Sequence, residues 1–325
     1  MTVLVTGAAG FVGMHVAERL AARGETVIGL DDFNAYYDPR LKAARADRLA
    51  QWSNLTMVRG DIADPGVVAD LVRLHKVDRV VHLAAQAGVR YSIEAPFTYE
   101  RSNLAGHLAV LEACRHADVS KLVYASSSSV YGDRMIGSQG FREDERAVEP
   151  VSLYAATKRS CELMSHCYSS LYGLTQAGLR FFTVYGPWGR PDMAYFSFTR
   201  KIEAGEPIEV FGEGRMARDL TYIDDIVDGV VGVLDSDVAA GTHEVYNIGD
   251  SSPVGLMDMI GSLERVIGRE AIKVMRPMQP GDVTSTFADI SKLNALTGYA
   301  PKVSFDEGAA RFVEWWRSQG RAILA

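Results

Sequence analysis

The stretch Thr6-Gly7-Ala8-Ala9-Gly10-Phe11-Val12-Gly13 follows a short apolar run, Val3-Leu4-Val5, and opens a segment with helical spacing. It reads as strand, glycine-rich turn and helix. Three glycines three residues apart let the chain turn tightly, let backbone approach a pyrophosphate and let the helix pack on the strand. The free N–H groups and the dipole at the start of that helix attract phosphate. Phe11, Val12, Val16 and Leu20 share a face, which predicts a helix from Phe11 to about Arg23. Val27-Ile28-Gly29-Leu30 supplies a second strand ending in Asp31-Asp32. A carboxylate there, about 20 residues past the glycines, stands where an adenosine ribose 2′-hydroxyl is held. It repels a 2′-phosphate, which selects NAD over NADP. Glycines at this spacing serve many loops for turning alone; the strand before, the helix after and the acid at this distance make the motif a nucleotide site.

At 325 residues the chain is long enough for one large domain or two smaller ones. The net charge of −7 argues against a nucleic-acid partner, which needs a basic stripe. Cys114, Cys161 and Cys167 form neither a C-x-x-C pair nor a cluster with histidine, so they read as reduced core thiols and no metal site is expected. With no basic leader and no apolar run long enough to span a membrane, a cytoplasmic enzyme without a membrane partner is the expectation.

Further along, Phe33 to Pro39 is loop-like, and Arg40 to about Gln51 is polar, Ala-rich and helical. Leu55 to Val58 is a third strand closed by Gly60-Asp61-Ile62. Asp61 either sits beside the adenine or caps the helix from about Pro65 to His75. Val80 to Leu83 is a fourth strand, and the small residues of Ala84-Ala85-Gln86-Ala87-Gly88 permit close approach of a cofactor. One long helix is predicted from about Pro96 to Ala117. Lys121 to Ala125 is a fifth strand leading into Ser126-Ser127-Ser128-Ser129-Val130-Tyr131-Gly132. Alternating strands and helices imply a doubly wound parallel sheet. Met135 to Pro150, polar and acidic, reads as a surface loop; a helix follows from about Ser152 to Tyr172 and a strand at Leu179 to Phe182. The pattern then becomes irregular, so residues 1–178 are read as a dinucleotide-binding domain. Residues 179–325 are read as a smaller mixed α/β substrate lobe, some segments of which return to the first.

Tyr154 and Lys158 stand four residues apart on one helix face, 27 residues after the serine-rich strand end. A free phenol ionises near pH 10. A neighbouring ammonium and the positive nicotinamide ring of NAD⁺ favour the phenolate in a desolvated cleft, which makes Tyr154 a general base for a sugar hydroxyl while the carbon gives up hydride. Ser127 then hydrogen-bonds the same oxygen.

Taken together, Thr6 to Gly13, the serine strand and the Tyr154/Lys158 pair resemble the extended short-chain dehydrogenase/reductase family, in its nucleotide-sugar branch. Asp32-Phe33-Asn34-Ala35-Tyr36-Tyr37-Asp38-Pro39 and the run from Phe182 to Met193 are similar to the UDP-glucuronate 4-epimerases of that branch. The resemblance implies a Rossmann fold and bound NAD. It also implies interconversion of UDP-glucuronate and UDP-galacturonate through a transient 4-keto sugar. It implies Ser127, Tyr154 and Lys158 as catalytic residues. At the cofactor it implies Gly7, Gly10, Phe11, Val12, Gly13, Asp31, Asp32, Asp61, Ile62, Ala84 and Ala85, with Tyr154 and Lys158 near the nicotinamide. For the substrate it implies Arg218, Arg276 and Asp282 at the diphosphate and uridine, and Arg90, Ser128, Thr183 and Arg190 at the sugar end. Arginine suits diphosphate through its planar fork and fixed charge.

Related dehydratases carry an Asp-Glu pair, and UDP-xylose-forming decarboxylases a Glu, where this chain has Ser128 and Ser129; this favours epimerisation. A 4-epimerase for UDP-glucose and UDP-galactose would share every catalytic residue. A non-catalytic NAD-binding sensor or scaffold could dispense with Ser127, Tyr154 and Lys158. The resemblance also implies a homodimer built on the helices from Pro96 and Ser152.

Overall fold

The computed structural model describes residues 1–133, 140–278 and 285–325. It opens with β1 (Thr2–Thr6), α1 (Phe11–Ala22), β2 (Thr26–Asp31), α2 (Pro39–Leu49), β3 (Leu55–Arg59), α3 (Pro65–Leu74) and β4 (Arg79–His82). After the short α4 (Tyr91–Glu94) and α5 (Pro96–Tyr99) come a π-helical turn (Glu100–Ala105) and α6 (Gly106–His116). Then follow β5 (Lys121–Ser127), α7 (Leu153–Tyr172), β6 (Gln176–Phe181), β7 (Thr183–Tyr185), α8 (Ala194–Ala204), β8 (Ile208–Phe211), β9 (Ala217–Tyr222) and α9 (Ile223–Asp235). The main remaining elements are β10 (His243–Ile248), β11 (Pro253–Gly255), α10 (Leu256–Ile267), β12 (Lys273–Arg276), β13 (Ser285–Thr286), α11 (Ser291–Thr297) and α12 (Phe305–Trp315).

Seven parallel strands form the central sheet in the order β3-β2-β1-β4-β5-β6-β10. Its strands are apolar on both faces because both faces are covered. Val3 and Val5 pack into a core with Met14 and Leu20 of α1 and Ile226 and Val230 of α9. Leu4, between them, packs with Val68 and Leu71 of α3 and Val110 and Leu111 of α6. The winding reverses between β1 and β4, and the carboxyl ends of strands at such a switch point open a crevice. Beside it lie a small mixed sheet, in which β9 pairs parallel with β7 and β13 and antiparallel with β11, and the parallel pair β8–β12. No helix among the described residues is long and apolar enough to cross a membrane.

Several local readings change. The helix from Pro96 is not uniformly α: its middle turn is π-helical. The extra residue in that turn goes with Asn103, buried, reaching the backbone of Gln86, whose N–H donates to Asn103 Oδ1 at 2.8 Å while Nδ2 donates to Gln86 O at 3.1 Å. Asp64, not Asp61, caps α3, accepting from Gly66 N–H at 3.0 Å. Cys114 and Cys161 are buried, but Cys167 is exposed. Within the stretch read as a surface loop, residues 135–139 lie outside the described residues, whereas Phe141 and Ala147 are buried, Phe141 stacked on Tyr131 with centroids 4.6 Å apart.

Candidate active site

The crevice is a cleft of about 480 Å³. At its floor the glycine-rich turn is held by Gly7 and Ala8 N–H donating to Leu30 O. Gly7 has φ +71°, and a Cβ there would come within 2.7 Å of Ala84 N. A Cβ on Gly13 would lie 2.0 Å from Gly7 O, so this position closes helix onto turn. Gly10 precedes α1 without any side-chain cap, leaving the first N–H groups of the helix to face the cleft. A bare turn, an uncapped helix start and an acid at the next strand tip fit a dinucleotide.

That acid is Asp31, whose side chain is only 5% exposed. Its oxygens accept from Ala9 N–H at 3.1 Å and Phe33 N–H at 2.8 Å, and Lys42 Nζ is 3.5 Å away. Asp32 is more exposed; it accepts from Asn34 and stands 3.7 Å from the same ammonium. Lys42 escaped the sequence reading, although a cation at a core-facing position of α2 signals a buried partner. Asp61 accepts from Ala63 N–H and pairs with Arg101 at 2.8 Å, and it lines the cleft together with Ile62, Ala84 and Ala85.

Ser127 ends β5, and Tyr154 and Lys158 occupy the first two turns of α7, whose N-cap Ser152 accepts from Ala155 N–H. All three border the same cleft. Lys158 is buried and donates to Ala125 O at 2.9 Å. Ser127 Oγ accepts from Ser129 N–H at 3.2 Å and from Ser129 Oγ at 2.9 Å, so its own proton points onward. The Tyr154 ring stands edge-on to Tyr99, centroids 6.1 Å apart, and Tyr99, fully buried, donates to Ala87 O at 2.9 Å. Beneath the serines, Ser126 Oγ donates to Glu162 at 2.6 Å, and Arg180 grips both oxygens of that carboxylate at 2.9 and 3.0 Å. Burial alone would push Glu162 up, but the bonds from Arg180, Ser126 and Arg159 outweigh it and hold the carboxyl below its ordinary range.

Of the residues expected at the substrate, Ser128, Thr183, Arg190 and Arg218 line the cleft. Arg190 pairs with Asp192 at 2.5 Å and lies 5.7 Å from the ring of Tyr36, whose hydroxyl donates to Asp192 at 3.2 Å. Burial and the Asp192 charge push the Tyr36 hydroxyl up to about 12. Arg90 and Arg276 are not brought to the cleft wall: Arg90 sits 5.7 Å from the ring of Phe211, and Arg276 pairs with Glu209 at 3.0 Å on the exposed edge of β12. Asp282 lies outside the described residues.

A model of the NAD-dependent epimerase/dehydratase family matches residues 3–249. UDP-glucuronate 4-epimerase 3 of Arabidopsis thaliana is 46% identical over 97% of this chain and 76% of its own. The solved structure of the Bacillus cereus UDP-glucuronic acid 4-epimerase with UDP-glucuronic acid and NAD superposes with a TM-score of 0.91, at 36% identity, over 98% of this chain and 99% of that one. The UDP-glucose 4-epimerase of Thermotoga maritima with UDP-glucose gives 0.89 at 30% identity, over 98% and 99%. With a dinucleotide turn, a serine strand end and a Tyr-Lys pair gathered in one cleft, and with likeness extending over nearly the whole chain, this protein belongs to the NAD-dependent epimerase/dehydratase family.

Proposed function

We propose that the protein is a UDP-glucuronate 4-epimerase, an isomerase that interconverts UDP-glucuronate and UDP-galacturonate. The observation that carries the reading is the convergence of Ser127, Tyr154 and Lys158 on one cleft with the bare glycine turn, beside Ser128 and Thr183. NAD, when bound, supplies a hydride acceptor that becomes the donor for the return step. Gly7, Gly10 and the first N–H groups of α1 would hold its pyrophosphate, Asp31 its adenosine ribose, and Ala84 and Ala85 the approach to its nicotinamide half.

Tyr154 takes the proton of the sugar C4 hydroxyl as the C4 hydrogen leaves, and returns it when the alcohol is rebuilt on the other face. Ser127 donates to the same oxygen and holds it while it is a carbonyl. Lys158, one helical turn after Tyr154 and held by Ala125 O, brings a cation to the same cleft. The intermediate is a β-keto acid, which loses CO₂ when its carboxylate carbon bond aligns with the carbonyl. Ser128 and Thr183 hold the carboxylate out of that alignment, while Arg218 takes the diphosphate and Arg190 the sugar end.

The exposed Leu108 of α6 and Leu163 and Leu171 of α7 support a homodimer formed on these helices; light scattering at twice the chain mass tests it. Three free thiols, Cys167 among them exposed, fit a reducing cytoplasm. The function is tested by incubating the purified protein with UDP-glucuronate, without added NAD, and following the sugar by proton NMR. UDP-galacturonate is the expected product. Turnover of UDP-glucose alone would replace the uronate reading by the neutral-hexose one, and no turnover of either sugar, with NAD added, would leave a nucleotide-binding scaffold.

A further inference from the structure

Arg45 of α2 is fully buried, and no carboxylate among the described residues bonds to its guanidinium. Its N–H groups go instead to three separate segments. Nη1 donates to Ala9 O in the glycine-rich turn at 3.1 Å and to Tyr37 Oη at 2.6 Å. Nε and Nη2 donate to Trp188 O at 3.1 and 2.6 Å, and Nη2 also to Gly189 O at 3.1 Å. A guanidinium has five N–H donors in a rigid fork, and five bonds use them. Taking this cation from water is costly unless every donor is met, so the cradle is a built one.

The segment it grips is strained. Trp188 has φ +62°, a conformation that bulky side chains avoid and that persists only where surroundings impose it. Two of Arg45's bonds end on the carbonyl of this residue. Next to it, a Cβ on Gly189 would lie 1.8 Å from Tyr195 Oη, so the turn has no room to relax on that side. From α1, His15 Nε2 bonds to Pro187 O at 3.1 Å, and burial lowers this imidazole to about 4, so it is a neutral donor. The strained turn therefore hangs from the two helices that frame the glycine-rich loop, and it carries Arg190 into the cleft one residue later.

We propose that Arg45 is a positioning residue that locks the glycine-rich turn to the Trp188–Arg190 turn, so that one side chain sets the nucleotide end and the sugar end of the cleft together. The sugar-end part rests on the uronate reading above. Neither end touches a ligand through Arg45 itself: it acts through Ala9 on one side and through Arg190 and Tyr37 on the other.

The test is Arg45→Lys in the full chain as purified with its nucleotide. Lysine keeps the charge but has three donors on a point cation and cannot span both turns. Two quantities are read: the release rate of bound NAD, and the ratio of UDP-glucuronate to UDP affinity by calorimetry. Release at least tenfold faster and a ratio at least fivefold lower, with UDP affinity within twofold, are the expected results. Adding Arg190→Gln to Arg45→Lys should leave the ratio where Arg190→Gln alone puts it. A lowered Tm with release and ratio both at their wild-type values, a change at one end only, or additive effects on the ratio would overturn the lock. If Arg45→Lys does not fold, Tyr37→Phe removes one acceptor and leaves the guanidinium in place. Both quantities should then move the same way by at least twofold, and wild-type values overturn the proposal. A wild-type protein that binds UDP-glucuronate no more tightly than UDP overturns the uronate reading instead. The sugar arm is then read with UDP-glucose, and NAD release decides the lock unaided.

Discussion

The ammonium of Lys158 donates to the carbonyl of Ala125 at 2.9 Å, tying the second turn of α7 to β5 two residues before Ser127. One bond thus sets the cation, the phenol one turn earlier and the serine at the strand end in a common frame. Tyr154→Phe removes the phenol that, in the proposed mechanism, takes the proton of the sugar hydroxyl. It should lower kcat by about 10²–10⁴ while UDP-glucuronate binding changes little. Lys158→Met should lower kcat to a similar extent. Steady-state kinetics and calorimetry on the same preparations check both, and a kcat within fivefold of wild type for Tyr154→Phe would remove it from the proton path.

Glu162 lies beneath the serine strand end, bonded to Ser126, Arg159 and Arg180. Glu162→Gln leaves the Arg180 guanidinium buried without its counter-charge, which costs about 3–5 kcal/mol. Ser126→Ala removes one neutral donor and should cost about 1–2 kcal/mol. Urea denaturation compares the two; equal effects would mean that the ion pair is not what holds this layer.

Two buried histidines, His82 and His107, and two half-buried ones, His15 and His243, have lowered pKa values. Burial takes His15 and His243 to about 4 and His107 to about 3, and puts His82 well below its ordinary value. Each is neutral in the fold, whereas the unfolded chain takes up a proton below about pH 6.5, so stability is full above that pH and falls as pH drops toward the folded value. The loss approaches about 1.4 kcal/mol per pH unit for each histidine. Asp250, raised by burial to about 6, works the opposite way. Tm should therefore fall between pH 7 and 5, and His107→Gln should flatten the slope by one proton; an unchanged slope would show that His107 is protonated in the fold.

Thr183 begins β7 and borders the cleft near Ser128. If its hydroxyl keeps the uronate carboxylate out of line with the C4 carbonyl, Thr183→Val should raise the yield of UDP-pentose, read by NMR, about tenfold. An unchanged product ratio would remove Thr183 from that role.

Local periodicity carried much of this architecture. The apolar runs Val3-Leu4-Val5 and Val80-Val81 are buried on both faces, and a pair spaced four apart on a helix must share a face, so the sheet and the Tyr154/Lys158 pair were legible. The residues that escaped reading answer to distant partners. Lys42 and Arg45 sit in a stretch that reads as a polar, Ala-rich helix, yet both are buried, and the carbonyls that hold Arg45 lie 36, 143 and 144 residues away. A cation's partner is set by topology, not by spacing. Arg276 shows the converse: a motif match fixes its place in sequence, while in the fold it lies on β12 and pairs with Glu209. The π-helical turn around Asn103 likewise follows from a contact with Gln86, to which helical periodicity is blind.

In the proposed cycle, hydrogen leaves C4 as hydride and returns to the same carbon without meeting water. Epimerising UDP-glucuronate in D₂O and reading position 4 of the UDP-galacturonate by NMR decides this. Full protium at C4 is expected, because the hydride is held inside the closed cycle of the cleft. Deuterium at C4 would contradict the account, since it requires removal of that hydrogen as an exchangeable proton.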